Sequence, residues 1–195
     1  MKNFACFATL ALFFALMAFA DENVGSYVNA YDGKSYNIDV RLKNNDLQYL
    51  YIYTPTMNNQ TGYFVVKEKD LNKFRENLQF VGTKFEEWKA TAEEQGISKM
   101  SKEFDVKFPK TSFFWIGTQQ WIANDKLHAV FTVTNSKCLV VIVATVTALT
   151  NKYVDNTFCL VFSSKEQIDT FLSIIDRQTM IQKAIEIKNK TDLFN

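Results

Sequence analysis

The sequence predicts an α+β domain, in which antiparallel sheets from two β-meanders are packed by one long amphipathic helix and a C-terminal helix pair. Three observations support this class. Apolar and polar residues alternate through several short segments between residues 27 and 67, a 3,4-spaced apolar stripe follows, and a second group of strand-like segments precedes two helical patterns. Strands and helices therefore come in blocks, unlike the βαβ alternation of a parallel sheet.

The first twenty residues are predicted to be a cleavable signal peptide. Met1-Lys2-Asn3 is a short basic start, residues 4–19 are apolar, and Ala18-Phe19-Ala20 places small residues at the cleavage positions. A run of 16 residues is shorter than the roughly 20 that span a bilayer. We expect a secreted or periplasmic protein, a single domain over residues 21–195, and no stable membrane anchor after cleavage. Cys6 lies too early in the run for lipid attachment.

The composition of the remaining chain excludes some partners. Residues 21–195 contain 22 − 1 = 21 basic and 21 acidic side chains, since Lys2 is removed, and this balance lacks the basic footprint of a nucleic-acid binder. Two cysteines remain, Cys138 and Cys159, each in an apolar strand-like run. Pairing of these runs about Asn151 sets Cys159 opposite a residue near 143, which favours two buried free thiols over a disulfide.

The elements of the first meander and the long helix follow from their patterns. A strand over 27–31, a hairpin turn at Asp32-Gly33, and further strands over 36–42, 47–54 and 62–67 are predicted. The helix stripe that comes next consists of Leu71, Phe74, Leu78, Val81, Phe85, Trp88 and Ala92. Asp70 is a candidate N-cap of this helix, and Gly96 is a candidate for the residue that ends it.

After a connection at 98–101, strand-like segments are predicted over 104–108, 112–117 and 120–123. A second meander is predicted over 128–134, 138–147 and 153–162. Residues 139–146 are apolar on both faces, which predicts a central strand that is covered on both sides. A capping box over Ser164–Gln167 starts the first of two closing helices, and the last ends at about Asn189.

The residues needed for most catalytic sites are missing from the sequence. His128 is the single histidine and there is no Cys-x-x-Cys, so neither a metal nor a cofactor is predicted, and His128 is expected to be a structural or surface residue. No nucleophile elbow or phosphate-binding loop occurs, and no residue is assigned a catalytic role. Four acids leave a paired-carboxylate hydrolase open as an alternative: Asp32, Asp39, Glu103 and Asp105.

Aromatic side chains provide the candidate ligand-binding residues. Tyr49, Tyr51 and Tyr53 alternate onto one face of a strand, and Tyr27, Tyr31 and Tyr36 come from neighbouring segments. The pattern favours packing of the tyrosine row beneath the long helix with its hydroxyls at the rim. The alternative is an exposed platform for sugar rings or for a partner's side chains. Trp121 is a further candidate, whereas Trp88 and Trp115 are expected in the core.

Three helix-packing and capping segments, residues 66–74, 84–90 and 160–168, resemble small secreted bacterial proteins without an assigned activity. This resemblance implies no site residues. Asn59 and Asn189 begin sequons that matter only in a glycosylating host. The leading hypothesis is a non-catalytic binding module for a carbohydrate or protein ligand, with Tyr49, Tyr51, Tyr53 and Trp121 as contacts. The alternatives are the hydrolase and a carrier of an apolar ligand.

Overall fold

A computed structural model describes residues 21–116, 120–148 and 151–193, with the backbone alone for residues 120–125 and Asp192. The predicted signal peptide lies outside the described residues. The strands are β1 (Glu22–Val28), β2 (Ser35–Lys43), β3 (Asp46–Pro55), β4 (Thr61–Lys67), β5 (Lys99–Glu103), β6 (Thr111–Trp115), β7 (Gln120–Asp125), β8 (His128–Thr134), β9 (Lys137–Ala148) and β10 (Asn151–Phe162). The helices are α1 (Glu68–Glu94), α2 (Lys165–Ile174) and α3 (Arg177–Asp192).

The described strands form two antiparallel sheets, which confirms the α+β class. A six-stranded sheet has the order β1-β2-β3-β4-β6-β7, and a four-stranded sheet has the order β10-β9-β8-β5. The predicted second meander corresponds to β8, β9 and β10, whereas the preceding segments form β6 and β7 and extend the first sheet. There Phe113 is the register partner of Phe64.

The predicted strand over residues 104–108 is wrong. The strand is β5, which lies in the predicted connection and pairs with β8 at the sheet edge. Phe104 and Phe108 are buried in the irregular segment that returns the chain to the first sheet, against Trp88 (ring centroids 4.6 Å apart) and Phe74 (5.5 Å) respectively. Alternate residues that are buried in an irregular segment give the same apolar alternation in the sequence as a half-buried strand. The residues of β5 are mostly exposed, so the sequence of β5 has no such alternation.

Helix α1 spans both sheets. Near its start Phe74 contacts Phe64 of the six-stranded sheet, with ring centroids 6.1 Å apart, and further along Phe85 contacts Phe131 of the four-stranded sheet at 5.9 Å. The helix begins at Glu68, so Asp70 lies in the first turn and is not the N-cap. Gly96 follows the helix with φ 61°, the left-handed conformation that ends helices.

The two sheets meet where β3 runs into β10. Thr56 forms a bridge with Phe158, and the Phe158 ring packs on Phe113 at 5.2 Å between centroids. A Cβ atom at Gly62 would overlap the Phe158 ring and lie 2.7 Å from the backbone oxygen of Phe114. Glycine is therefore required here for close packing of the sheets.

Pairing of β9 with β10 confirms the predicted cysteine geometry. Cys159 is the register partner of Val143, and both cysteines are free thiols, of which Cys159 is buried and Cys138, predicted to be buried, is half-buried. Strand β9 is central, as predicted, but covered on one face only: Val140 and Ile142 are buried, while the alternate residues are half-buried.

Ser164 caps the first C-terminal helix as predicted, and the last helix continues to Asp192 where an end at about Asn189 was predicted. The Ser164 hydroxyl oxygen accepts a hydrogen bond from the Gln167 N–H at 3.3 Å, and Asp176 caps α3 by accepting one from the Thr179 N–H at 3.0 Å. None of the helices in the described ranges is long and apolar enough to cross a membrane.

Candidate functional site

The tyrosine row lies on the sheet face opposite to helix α1. Leu50 and Ile52 of β3 are at most 1% exposed and belong to the core, so alternation directs Tyr49, Tyr51 and Tyr53 outward. The expected packing beneath the helix is therefore wrong. The physical reason is that aliphatic side chains on β3, with Phe64 on β4, fill the inner face.

Two aromatic residues from neighbouring strands complete this surface. We use "outer tyrosine face" for Tyr49, Tyr51, Tyr53, Tyr63 and Phe114. Their rings form one connected series, with centroid separations of 6.3 Å for Tyr49–Tyr51, 5.6 Å for Tyr51–Tyr63, 4.9 Å for Tyr53–Tyr63 and 5.1 Å for Tyr63–Phe114. The result is a continuous aromatic surface over β3, β4 and β6.

Tyr51 supports this surface from its centre. Its side chain is 5% exposed, and the Arg41 guanidinium lies 5.4 Å from its ring centroid. Arg41 is held in turn by Asp21, whose two carboxylate oxygens accept hydrogen bonds from Nε at 2.8 Å and from an Nη at 3.1 Å. The side chains of Tyr49, Tyr53 and Tyr63 are partly exposed, so they carry the accessible ring area.

Asp39 adds a carboxylate beside Tyr53. Burial raises the pKa of Asp39 above its usual range, although hydrogen bonds from the Asn23 amide and the Tyr53 hydroxyl oppose the shift. The Asn23 Nδ2 to Asp39 Oδ1 distance is 2.8 Å. This part of the outer tyrosine face thus combines an aromatic ring, a carboxylate and an amide within contact of one another.

The hydroxyls of Tyr51, Tyr53 and Tyr63 stay protonated at neutral pH. Burial raises the pKa of Tyr63 to about 12, and it raises the pKa values of Tyr51 and Tyr53 above their ordinary value as well. A neutral phenol both donates and accepts hydrogen bonds. The face is therefore equipped for hydroxyl-bearing ligands.

A cleft of about 450 Å³ opens where the outer tyrosine face reaches the ends of β2 and β3. We call it the strand-end cleft: the β1–β2 hairpin with Tyr31 and Asp32 forms one wall, and the β3–β4 turn with Asn59 and Gln60 forms the other. Tyr53 lines the cleft and also belongs to the outer tyrosine face, so the two are continuous.

The other predicted aromatic residues lie elsewhere. Tyr27 is 6% exposed on the inner face, with its ring edge-on to Phe171 at 5.1 Å. Trp121 is the register partner of Phe114 in β7, and its side chain lies outside the described residues. Trp115 is buried, and its indole N–H donates to Gln60 Oε1. Trp88 packs at the border of the core.

The four candidate acids do not converge. Asp32 lies in the strand-end cleft and Asp39 on the outer tyrosine face, whereas Glu103 and Asp105 line a separate groove of about 650 Å³. In that groove His128 Nδ1 lies 2.8 Å from Glu103 Oε1, and both side chains are more than half exposed, as expected for a surface histidine. Apolar side chains also line this groove: Phe104, Phe108 and Leu127 are buried, and Val106 is half-buried.

Sequence reasoning missed Tyr63, Phe114 and Arg41 as members of the surface. Alternation within residues 62–67 separates Tyr63 from the core residue Phe64, which is a usable signal. Their placement beside Tyr53 depends on strand register and strand order, neither of which periodicity encodes.

Comparison with known proteins provides no functional assignment. No protein family matches the chain, and neither a curated protein nor a solved structure is significantly similar to it. Within the described part of the chain, no group of three or more His, Cys, Asp or Glu side chains is arranged to hold a metal ion.

Proposed function

We propose that this protein is a secreted or periplasmic, non-catalytic binding module, and that its ligand is a neutral carbohydrate chain lying on the outer tyrosine face. One observation carries the proposal: Tyr49, Tyr53 and Tyr63 are partly exposed in a connected series on the sheet face opposite to α1. A ligand that packs on these partly exposed rings removes their remaining apolar area from water, which favours binding.

Sugar rings fit the chemistry of this surface. A pyranose ring has apolar C–H faces that pack on aromatic rings, and a rim of hydroxyl groups that pair with planar polar side chains. Asp39 beside Tyr53 and Arg41 over the Tyr51 ring supply such groups. From Tyr49 to Tyr53 the strand extends about 13 Å at its rise of ~3.3 Å per residue, so a chain of sugars is favoured over a single ring.

Charge and position favour this ligand over the alternatives. Asp21 neutralises Arg41, so the face presents no cluster of one sign that would select a charged polymer. The tyrosines occupy the middle of a sheet rather than an exposed edge, so a peptide gains no backbone ladder by strand addition there. A carrier of apolar ligands is disfavoured because Phe64, Phe74 and Phe131 fill the space around α1.

A hydrolase is the second candidate, and the raised pKa of Asp39 is the observation that favours it. A glycosidase needs a second carboxylate across the bond to be cleaved. Asp21 is the acid that acts on Asp39 electrostatically, but both of its oxygens are occupied by Arg41. Asp39 is better suited to accept hydrogen bonds from sugar hydroxyls.

An array of glycans and peptides tests the binding proposal. The secreted chain is applied as purified, beside Tyr53→Ala and the matched control Tyr153→Ala, which truncates an 84% exposed tyrosine on β10. We expect glycan signals that Tyr53→Ala lowers about tenfold and Tyr153→Ala leaves unchanged. If no glycan on the array gives a signal, the proposal that the ligand is a carbohydrate is contradicted. If the glycan signals are unchanged in Tyr53→Ala, the proposal that the ligand binds on the outer tyrosine face is contradicted.

Incubation with the glycans bound on the array separates binding from hydrolysis. The proposal predicts no release of new reducing ends over a day, and weaker binding by Asp39→Asn. Release of reducing ends that Asp39→Asn abolishes would establish the hydrolase instead.

A further inference from the structure

The strand-end cleft has the form of a built pocket at one end of the outer tyrosine face. Its floor includes Asn37 on β2 and Tyr53 on β3, and its volume of about 450 Å³ falls within the range of small-ligand sites. Tyr31 stands at the hairpin wall with 46% of its surface exposed. A chain lying along the tyrosine rings would enter this pocket at Tyr53.

The hairpin wall of the cleft is anchored to β10. Asn29 is fully buried, and its Nδ2 donates to the Cys159 carbonyl at 2.8 Å. The next residue, Ala30, donates its N–H to the Val161 carbonyl at 2.9 Å. The Asn29 Oδ1 also accepts the Tyr31 N–H at 3.0 Å, which sets the backbone from which the Tyr31 ring projects.

The opposite wall is anchored to the same strand. In the β3–β4 turn, Met57 donates its N–H to the Thr157 carbonyl at 2.9 Å, and Thr56 donates its N–H to the Gln60 carbonyl at 2.9 Å. Because both walls are hydrogen-bonded to β10, their separation is set by the fold and not by the ligand. Preorganisation of this kind removes an ordering cost from binding.

The polar groups of the cleft are oriented before any ligand enters. Asp32 accepts the Tyr36 hydroxyl at 2.6 Å on one oxygen and the Lys34 N–H at 3.1 Å on the other. Gln60 Oε1 accepts donors from Trp115 and Asn156, which fixes the orientation of its amide. Fixed carboxylate and amide groups discriminate between sugars because each pairs with hydroxyls in a defined direction.

We infer that the strand-end cleft is the anchoring subsite of this protein and encloses the terminal sugar ring of the bound chain. Tyr31 and Tyr53 pack against the faces of that sugar ring. The polar side chains that form hydrogen bonds with the hydroxyl groups of the ring are Asp32, Asn37 and Gln60. The following rings lie on the outer tyrosine face. This inference rests on the proposed function and adds to it that a chain end is recognised. A single free sugar should therefore bind, weakly, in the cleft.

Amide NMR titration of the secreted chain tests the inference with defined probes. These are free glucose, galactose, mannose and N-acetylglucosamine, each beside its linear tetrasaccharide. Two variants distinguish the cleft from the outer tyrosine face. The cleft variant combines Tyr31→Ala with Asn37→Ala, two exposed residues of the strand-end cleft, and the second variant is Tyr49→Ala, at the end of the outer tyrosine face far from the cleft. Tyr153→Ala is the matched control, and equal urea midpoints verify that each variant folds.

We expect one monosaccharide to shift cleft amides with a Kd of the order of 1–10 mM. The cleft variant should weaken the binding of both this monosaccharide and its tetrasaccharide at least about tenfold. Tyr49→Ala should weaken the binding of the tetrasaccharide alone. Tetrasaccharide binding that depends on Tyr49 but not on the cleft pair would overturn the inference and leave the proposed function standing. Monosaccharide shifts confined to the Glu103–His128 groove would also overturn the inference. No shift with any probe would contradict both proposals.

Discussion

Two neighbouring residues on β3 provide a stringent test of how the sheet faces are assigned. Ile52 is fully buried against the core and Tyr53 is partly exposed on the outer tyrosine face. A shift of the strand by one residue would exchange the two environments. The substitutions Ile52→Ala and Tyr53→Ala therefore report on opposite faces of the sheet from adjacent positions.

The expected magnitudes differ because the lost contacts differ. Ile52→Ala leaves a cavity in a close-packed interior, which costs about 3 kcal/mol in the free energy of unfolding. Tyr53→Ala removes the ring contact with Tyr63 and the hydrogen bond to Asp39 at a partly hydrated surface, for about 1 kcal/mol. At ~2–4 °C per kcal/mol for a chain of this size, the melting temperature falls by about 6–12 °C and about 2–4 °C respectively.

Urea unfolding followed by circular dichroism measures both free energies, and equal m-values verify that the same transition is compared. The assignment predicts that Ile52→Ala is the more destabilising substitution by at least about 1 kcal/mol. It also predicts that glycan binding survives Ile52→Ala below its unfolding midpoint and is weakened about tenfold in Tyr53→Ala. A Tyr53→Ala protein less stable than Ile52→Ala would refute the assignment of faces.

Three further predictions concern packing and titration. Gly62→Ala should lose about 1–3 kcal/mol of stability in urea, because its Cβ overlaps the Phe158 ring and approaches a backbone oxygen; an unchanged midpoint would contradict the tight sheet junction. Native alkylation with iodoacetamide at pH 8 should label Cys138 before Cys159, since burial raises the pKa of the Cys159 thiol to about 11; equal rates would argue against that burial. Above pH 10 the folded state keeps the Tyr63 proton that the unfolded chain loses, so stability should be full below pH 10 and fall as pH rises towards 12, as followed by urea midpoints and ultraviolet titration. Stability that rises over this range would contradict the sign.

Local pattern was sufficient for much of the fold. The apolar stripe from Leu71 to Ala92 predicts α1, and the alternation in β2 and β3 predicts half-buried strands, because side-chain period reports which face is buried. The register that sets Cys159 opposite Val143 was also predictable from pairing of the two runs about Asn151, although the register is irregular between Asn151 and Asp155.

Long-range pairing was not predictable from pattern. Both faces of β3 are apolar enough to enter a core, so the outward direction of Tyr49, Tyr51 and Tyr53 depends on what packs against Leu50 and Ile52. The return of the chain from β5 to β6 joins Phe114 to Tyr63, and no local signal encodes that neighbour. The strand-end cleft likewise results from two turns that are distant in sequence and meet on β10.

Hydroxyl-radical footprinting of the tyrosines, with and without a tetrasaccharide that the array selects, tests the central claim most directly. Oxidation is quantified for each tyrosine-containing peptide by mass spectrometry. Binding on the outer tyrosine face should protect Tyr49, Tyr53 and Tyr31 from oxidation, while the exposed Tyr153 on the other sheet is oxidised equally in both samples. Protection of Tyr153 alone, or unchanged oxidation of all four, would contradict binding on the outer tyrosine face.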